Sequence, residues 1–212
     1  MGKTNWPEAL KPLFRKYSRR KHPLEYKNRY QLVVMTILSA QDSDKHINDI
    51  AQKLFEAFPS MQALALATVD DLFPYIRPVR NFFNKSKWLV SLAKAIGDDN
   101  KIPHTMEELT RLSGIGRKSA NVIIRESGGN AEGIIVDLHV LRVAPRLGIA
   151  TGDKPDKIEK QLMKQISKKY WNASGMAFSF LGREICRPTN PKCEKCIMNN
   201  FCRYYQSLLK GK

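Results

Sequence analysis

A lysine just after a glycine-rich turn is the first residue whose type and position could do chemistry. Residues 112–122 read LSGIGRKSANV, in which one apolar residue separates Gly114 from Gly116. This spacing predicts a tight hairpin between two helices, because glycine supplies backbone freedom and allows close approach. The second helix would begin there, so its first N–H groups and Arg117 could bind a phosphate. The helix dipole, with any burial, should lower the pKa of Lys118 and favour the nucleophilic amine; a plain phosphate contact is the alternative.

The four cysteines form the second group that could do chemistry. Their spacing is Cys186-x6-Cys193-x2-Cys196-x5-Cys202. Because they are clustered rather than spread along the chain, they favour a metal site in a reducing compartment over disulfides. Four thiolates could hold a tetrahedral zinc ion or a cubane iron–sulfur cluster. Zinc sites more often pair two C-x2-C knuckles, and only one occurs here, so the spacing somewhat favours iron–sulfur.

The net positive charge of the chain indicates the class of its binding partner. The formal net charge is +16, from 36 Lys+Arg against 20 Asp+Glu, which predicts attraction to a polyanion, nucleic acid first, with an inert basic surface as the alternative. Arg187 and Lys192 lie in the loop between the first two cysteines, where they could contact phosphates or simply form a solvated connector. The sequence contains no transmembrane run or secretion signal, which predicts a soluble intracellular protein.

Helices are expected to position these groups. The N-terminal arm predicts one amphipathic helix, and residues 30–40, apolar nearly all round, predict a buried one. Residues 77–85 predict a basic, aromatic loop whose Phe82 and Phe83 either stack on bases or anchor a turn in the core. No convincing alternation of period two occurs. The predicted fold class is therefore all-α, with about ten helices.

Taken together, these motifs resemble the endonuclease III family, which are bifunctional DNA glycosylases and abasic-site lyases of the helix-hairpin-helix superfamily. The matching segments follow in family order along nearly the whole chain: ILSAQ at 37–41, LSGIGRKSANV at 112–122, VDLHVLRV at 136–143, RLG at 146–148, LGREIC at 181–186 and the four cysteines. A lone G-x-G would be weak evidence, whereas this ordered set is specific.

The resemblance implies a two-lobed, all-α helix-hairpin-helix DNA glycosylase fold. Residues 22–132 would form a six-helix barrel domain that ends in the hairpin. Residues 1–21 plus 133–212 would form the second domain, around a structural [4Fe-4S] cluster held by the four cysteines. Double-stranded DNA with a damaged base or an abasic site would lie across the cleft between the lobes. The protein would be a cytoplasmic monomer, associated with the nucleoid in a bacterium.

The resemblance also implies how the candidate residues act. A damaged, oxidised pyrimidine is extruded from the duplex, because its glycosidic bond cannot be reached while the base is stacked. Lys118 attacks C1′ and forms a Schiff base, and the 3′ phosphate then leaves by β-elimination. Asp137 stabilises charge or moves protons, and it also stands where a helix N-cap would. Gln41 fills the gap that the extruded nucleotide leaves in the duplex.

Two departures from the family pattern stay open, and so do two of three rival functions, since the sequence speaks against the first rival. Residues 77–85 lack the glycine that usually precedes the family's aromatic-Asn-x-Lys stretch and have Arg80 and Asn81 in its place, which leaves lesion and opposite-base preference open. The interval between Lys118 and Asp137 is also slightly long. The first rival, an adenine glycosylase opposite oxidised guanine, would have glutamate where Thr36 stands, no catalytic lysine and a further domain. The second is a mismatch-specific thymine or uracil glycosylase, and the third is a non-catalytic, zinc-stapled DNA-binding module.

Overall fold

The structure is a computed structural model that describes residues 4–210. Within this range the regular secondary structure is helical and no strand occurs. The prediction of an all-α fold is confirmed. No helix in the described range is both long enough and apolar enough to cross a membrane.

Thirteen α-helices and five short 3₁₀ turns occur between residues 4 and 210, more than the ten expected. In chain order the α-helices are α1 (Trp6–Ala9), α2 (Lys11–Tyr17), α3 (Arg29–Leu38), α4 (Asp44–Ala57), α5 (Met61–Leu66), α6 (Phe73–Ile76), α7 (Phe82–Ile96), α8 (Met106–Thr110), α9 (Arg117–Glu126), α10 (Leu138–Leu147), α11 (Pro155–Gln165), α12 (Trp171–Glu184) and α13 (Arg203–Lys210). The 3₁₀ turns are Asp70–Leu72, Asp99–Lys101, Lys168–Tyr170, Cys193–Lys195 and Asn199–Phe201.

The chain divides into two compact units. One unit is His22–Gly129, and the other joins the N-terminal residues through Lys21 to the chain from Asn130 onward. Residues 1–3 and 211–212 of the predicted second domain lie outside the described residues. The predicted identities of the two domains, a six-helix barrel and an iron–sulfur domain, stay predictions.

Helix α3 is the centre of the 22–129 unit. It packs against α4, α7 and α9, and its residues from Leu32 to Leu38 are all buried. Side-chain caps fix where several neighbouring helices begin: Ser43 accepts from the His46 N–H before α4, and Thr105 accepts from the Glu108 N–H before α8. Thr105 and Glu108 also have the spacing of a capping box.

The other unit is built on the close packing of α10 against α12. Gly182 makes this approach possible, since a Cβ built on it would lie 2.7 Å from the Cβ of His139. Helix α12 also packs against α2, and α10 against α13. Tyr17 of α2 donates a 3.0 Å hydrogen bond to Glu184, which fixes the N-terminal segment onto the end of α12.

Two helix predictions were wrong in detail. The single N-terminal helix is split into α1 and α2 at Leu10, because Pro12 occupies the first turn of the second piece and starts a new helix. Residues 77–85 were predicted to form a loop, but helix α7 begins at Phe82, so this segment includes the first turn of that helix.

Candidate functional site

The hairpin between α8 and α9 uses its two glycines differently. Gly114 has a φ of +80°, and a Cβ built on it would lie 3.0 Å from the Cβ of Trp88. Both the backbone and the space therefore require glycine at this position. Gly116 has an extended backbone, and a Cβ there would meet no described atom within 4 Å. The prediction of backbone freedom thus holds for Gly114, whereas Gly116 leaves open space beside the helix start.

The first turn of α9 has the features that bind an anion. Gly116 is the N-cap and offers no side chain to the first N–H groups. The turn carries Arg117 and Lys118 and no acidic residue, and a helix start concentrates unpartnered donors and positive dipole charge. Lys118 is the second residue of the helix, and its side chain is exposed.

Asp137 is the N-cap of α10, as its position in the sequence indicated. Its Oδ1 accepts hydrogen bonds from the N–H groups of His139 at 2.9 Å and Val140 at 2.8 Å. Its Oδ2 accepts a 2.6 Å hydrogen bond from the hydroxyl of Ser179. The carboxylate is held through both oxygens, and its orientation is therefore fixed.

Ser179 is a residue that the sequence did not reveal. It lies on α12, is fully buried, and donates to a carboxylate 42 positions away in the chain. A serine in an apolar helix gives no local signal of such a contact. The Arg183 Nε lies 3.4 Å from the Ser179 hydroxyl. This contact extends the hydrogen-bonded cluster of Asp137 and Ser179 to the next turn of α12.

Gln41 lies in the turn that follows α3. Its φ is +61°, in the left-handed region that few non-glycine residues adopt, and its side chain is exposed. The next residue, Asp42, accepts from the Ser43 N–H and bonds the His46 ring through Oδ1, both at 2.8 Å. Its Oδ2 accepts from the Arg80 N–H at 3.1 Å. Burial alone would raise the pKa of Asp42, but these donors outweigh it and hold the pKa below its ordinary value.

A second residue with a left-handed backbone, after Gln41, lies in residues 77–85. Asn81 has a φ of +59°. Apart from glycine, asparagine is one of the few residue types that adopt this left-handed conformation. One of the two residues that replace the expected glycine therefore takes a backbone shape that glycine would favour. The ring of Phe82 packs edge-on against Phe73, whereas Phe83 is 47% exposed. Phe82 is half-buried and anchors the turn through this ring contact, whereas Phe83 is more exposed and has the Lys87 Nζ 4.2 Å from its ring centroid.

The four cysteines are free thiols that line one small cavity together with Arg146. Among the described residues, no group of three or more His, Cys, Asp or Glu side chains could hold a metal ion. Burial raises the pKa of Cys196 to about 11 and also raises those of Cys193 and Cys202. A metal group that binds here must therefore displace protons from these partly buried thiols.

Arg146 ties the cysteine cavity to the loop that follows Cys186. One guanidinium nitrogen lies 3.6 Å from the Cys186 Sγ and donates to the Arg187 carbonyl at 2.7 Å, and the other donates to the Pro188 carbonyl at 3.1 Å. The loop backbone is therefore fixed, while the side chains of Arg187 and Lys192 are exposed. Sequence reasoning noted Arg146 only as part of a matching motif and missed this contact.

The predicted site residues fall into groups within each unit. The hairpin of the 22–129 unit holds Gly114, Gly116, Arg117 and Lys118, and the turn after α3 holds Gln41; in the other unit, Asp137 caps α10, and the four cysteines lie with the loop of Arg187 and Lys192. The functional roles of these residues stay predictions.

Comparisons with known proteins show the family to which the chain is similar. Residues 34–168 match the model of the HhH-GPD superfamily of base excision DNA repair proteins. Endonuclease III from Rickettsia felis is 34% identical over 194 residues, which is 91% of this chain and 91% of that protein.

Two solved structures are similar over nearly the whole chain. One is described as a non-covalent complex of endonuclease III with DNA; it has a TM-score of 0.86 and 29% identity, and the match covers 96% of each chain. The other is described as a trapped covalent intermediate of endonuclease III and DNA, again with a TM-score of 0.86 and 29% identity, covering 95% of this chain and 96% of that one.

Proposed function

Because the chain belongs to the endonuclease III family within the HhH-GPD superfamily of base excision DNA repair proteins, we propose that Lys118 is the nucleophile of a bifunctional glycosylase and lyase. The protein is a DNA glycosylase and abasic-site lyase that binds damaged double-stranded DNA. The proposed substrate is an oxidised pyrimidine. The observation that carries the assignment of Lys118 is its position: an exposed amine in the first turn of α9, beside an open anion-binding helix start.

The proposed reaction begins with extrusion of the damaged nucleotide, because the glycosidic bond is out of reach inside the duplex. The deprotonated Lys118 amine attacks C1′, the C1′–N bond breaks, and the base leaves with the bonding electrons and then takes up a proton. The amine loses a proton, and the C1′–O4′ bond then breaks with its electrons going to O4′, which takes up a proton; the open sugar is left as a protonated Schiff base. Loss of the acidified C2′ proton then expels the 3′ phosphate by β-elimination.

Asp137 is proposed to supply the carboxylate of this chemistry. A negative charge stabilises the positive charge that develops on the sugar as the base leaves, and a carboxylate can take the proton from an amine. Its hydrogen bonds to the first turn of α10 and to Ser179 support the role, since they hold the carboxylate in one orientation. Preorganised charge needs little rearrangement when the reaction occurs.

The remaining predicted residues are proposed to bind DNA. Gln41 fills the gap left by the extruded nucleotide, and its exposed side chain on a fixed turn supports this role. Gly116 and Arg117 bind a phosphate at the start of α9, on the backbone path that Gly114 permits. Arg187 and Lys192 are proposed to contact a phosphate backbone from the loop that Arg146 fixes.

Borohydride trapping on a duplex with one abasic site tests the nucleophile. The reductant converts a protein–DNA Schiff base into a stable amine, so wild-type protein should give a covalent adduct. Lys118→Ala should give none, because no other amine occupies that position. Lys53→Ala, which removes an exposed lysine of α4, is the matched control and should trap as wild type does. An undiminished adduct with Lys118→Ala would show that another residue attacks the sugar, and no adduct with wild type would favour a non-catalytic module.

The four cysteines are proposed to hold a structural [4Fe-4S] cluster. Four free cysteines line one cavity, so all four can be ligands of one group. A tetrahedral zinc ion and a cubane cluster can each take four thiolates. The single C-x2-C knuckle in the spacing and membership of the endonuclease III family favour the cluster. Broad visible absorption with acid-labile sulfide is expected, and a colourless zinc protein would contradict the proposal.

The predictions of a monomer and of a cytoplasmic location stay predictions.

A further inference from the structure

Lys85 is a buried cation that the proposed reaction does not use. Its side chain is 1% exposed, although lysine is almost never fully buried without a partner. Its Nζ donates to two carbonyl oxygens, that of Leu38 at 2.7 Å and that of Ala40 at 2.6 Å. Burial lowers the pKa of Lys85, an effect that Asp42 opposes and Arg80 reinforces. A buried ammonium costs free energy unless its donors are used, and here they are used on main-chain carbonyls.

The two carbonyls belong to the backbone that leads into Gln41. Leu38 is the last residue of α3, where carbonyls lack partners within the helix and a cation is favoured by the dipole. Ala40 directly precedes Gln41. Lys85 therefore holds the chain at the point where it leaves the helix and turns.

A second contact fixes the same turn on the C-terminal side of Gln41. Asp42, the residue after Gln41, accepts from the backbone N–H of Arg80. Gln41 is thus flanked by two links to residues 80–85, one through the Ala40 carbonyl and one through the Asp42 carboxylate. A left-handed glutamine is unfavourable by itself and persists only where its surroundings determine it. These two links constrain the turn from outside, in addition to the hydrogen bond from the Asp42 N–H to the Ser39 carbonyl within it.

We propose that Lys85 is a positioning residue for Gln41, which holds the turn after α3 in its left-handed form so that the glutamine side chain is presented to the gap in the duplex. The proposal rests on the proposed function of Gln41 in filling that gap. It also gives residues 77–85 a second way to influence excision: through the Gln41 turn as well as through any direct contact with DNA.

A double-mutant cycle tests whether Lys85 acts through Gln41. Single-turnover excision of thymine glycol from a duplex would be measured for wild type, Lys85→Met, Gln41→Ala and the double variant. Lys85→Met should slow excision by up to about a hundredfold, the size of effect that a displacement of about 1 Å can produce. The double variant should be no slower than Gln41→Ala alone. If the two effects multiply, Lys85 acts independently of Gln41 and the proposal is overturned.

A second measurement needs no catalysis. The Asp42 N–H donates to the Ser39 carbonyl at 3.1 Å within the turn, so its hydrogen exchange reports whether the turn is closed. Exchange should accelerate in Lys85→Met and stay unchanged in Lys94→Met, which removes the same charge from an exposed position of α7. Unchanged exchange in Lys85→Met would overturn the proposal. Because free protein is used, this result is separate from borohydride trapping, whose failure would count against the proposed function instead.

If Lys85→Met does not fold, as judged by circular dichroism, Asp42→Ala replaces it in the cycle. This substitution releases the second link, to the Arg80 N–H, and leaves the buried lysine in place. Its effect on excision should likewise vanish in the Gln41→Ala background. Effects that multiply would overturn the proposal here as well.

Discussion

At the scale of single residues, Asp137 has two tasks that substitutions can separate. Asparagine and serine also cap helices, whereas alanine does not. Asp137→Asn should therefore keep most of the stability and lose the negative charge, so that excision falls by more than tenfold while the melting temperature changes little. Asp137→Ala should lose the charge and the cap together, with about 0.5–2 kcal/mol of destabilisation in addition. Single-turnover excision and urea unfolding of both variants check this.

Ser179→Ala is the control for the Asp137 variants and is measured by the same single-turnover excision and urea unfolding. It leaves the carboxylate and its two bonds to the start of α10 but removes the donor to Oδ2. If Asp137 served only as a cap, Asp137→Asn would excise at the wild-type rate, and the assignment of a chemical role would fail.

The sequence identifies some site residues and hides others for a physical reason. Lys118 and the cap at Asp137 belong to local patterns, a helix start after glycine and an acidic residue before an apolar helix. Ser179 and Lys85 gain their importance from contacts with residues more than forty positions away. Such contacts exist only after the helices have packed, and no local spacing records them.

At the scale of elements, the geometry of the hairpin predicts that alanine substitution lowers stability much more at Gly114 than at Gly116. Gly114→Ala places a left-handed alanine against the Trp88 Cβ and should destabilise the protein by at least about 1–2 kcal/mol. Gly116→Ala has room within the protein and should cost less than about 1 kcal/mol. Its methyl group, however, stands where the proposed phosphate would approach, so DNA affinity should fall more than stability does. Chemical unfolding and anisotropy titrations of both variants separate these effects; equal losses of stability would contradict the geometry.

Elements were predictable where their signals are local. Residues 30–40 were expected to form a buried helix from composition, and α3 spans Arg29–Leu38 with a buried surface nearly all round. The start of α7 was misplaced because it depends on Asn81, whose left-handed backbone begins the helix at Phe82 without a side-chain cap to its N–H groups. Asparagine is a common N-cap residue, but here its side-chain oxygen accepts from the Asn84 side chain instead, a contact that the sequence pattern does not show.

At the scale of the whole molecule, charge indicates the partner but not the place where it binds. The excess of 36 Lys+Arg over 20 Asp+Glu predicted a nucleic acid partner, and membership of a DNA repair family confirms it. A net charge, however, does not say which lysines meet phosphates and which are buried. Lys85 contributes to the same total, yet it lies inside the protein and bonds to carbonyls.

The salt dependence of DNA binding measures how many of these charges contact phosphates. Each neutralised phosphate contributes about 0.9 to the slope of log affinity against log salt. The double substitution Arg187→Ala/Lys192→Ala should therefore make the slope shallower by up to about 2 if both side chains contact the backbone. Lys53→Ala/Lys94→Ala removes the same charge from exposed positions outside the proposed contacts and should leave the slope unchanged. Anisotropy titrations on an abasic duplex from low to high salt give both slopes. Equal slopes for the two double variants would mean that the loop after Cys186 is a solvated connector, and that the phosphate contacts lie elsewhere.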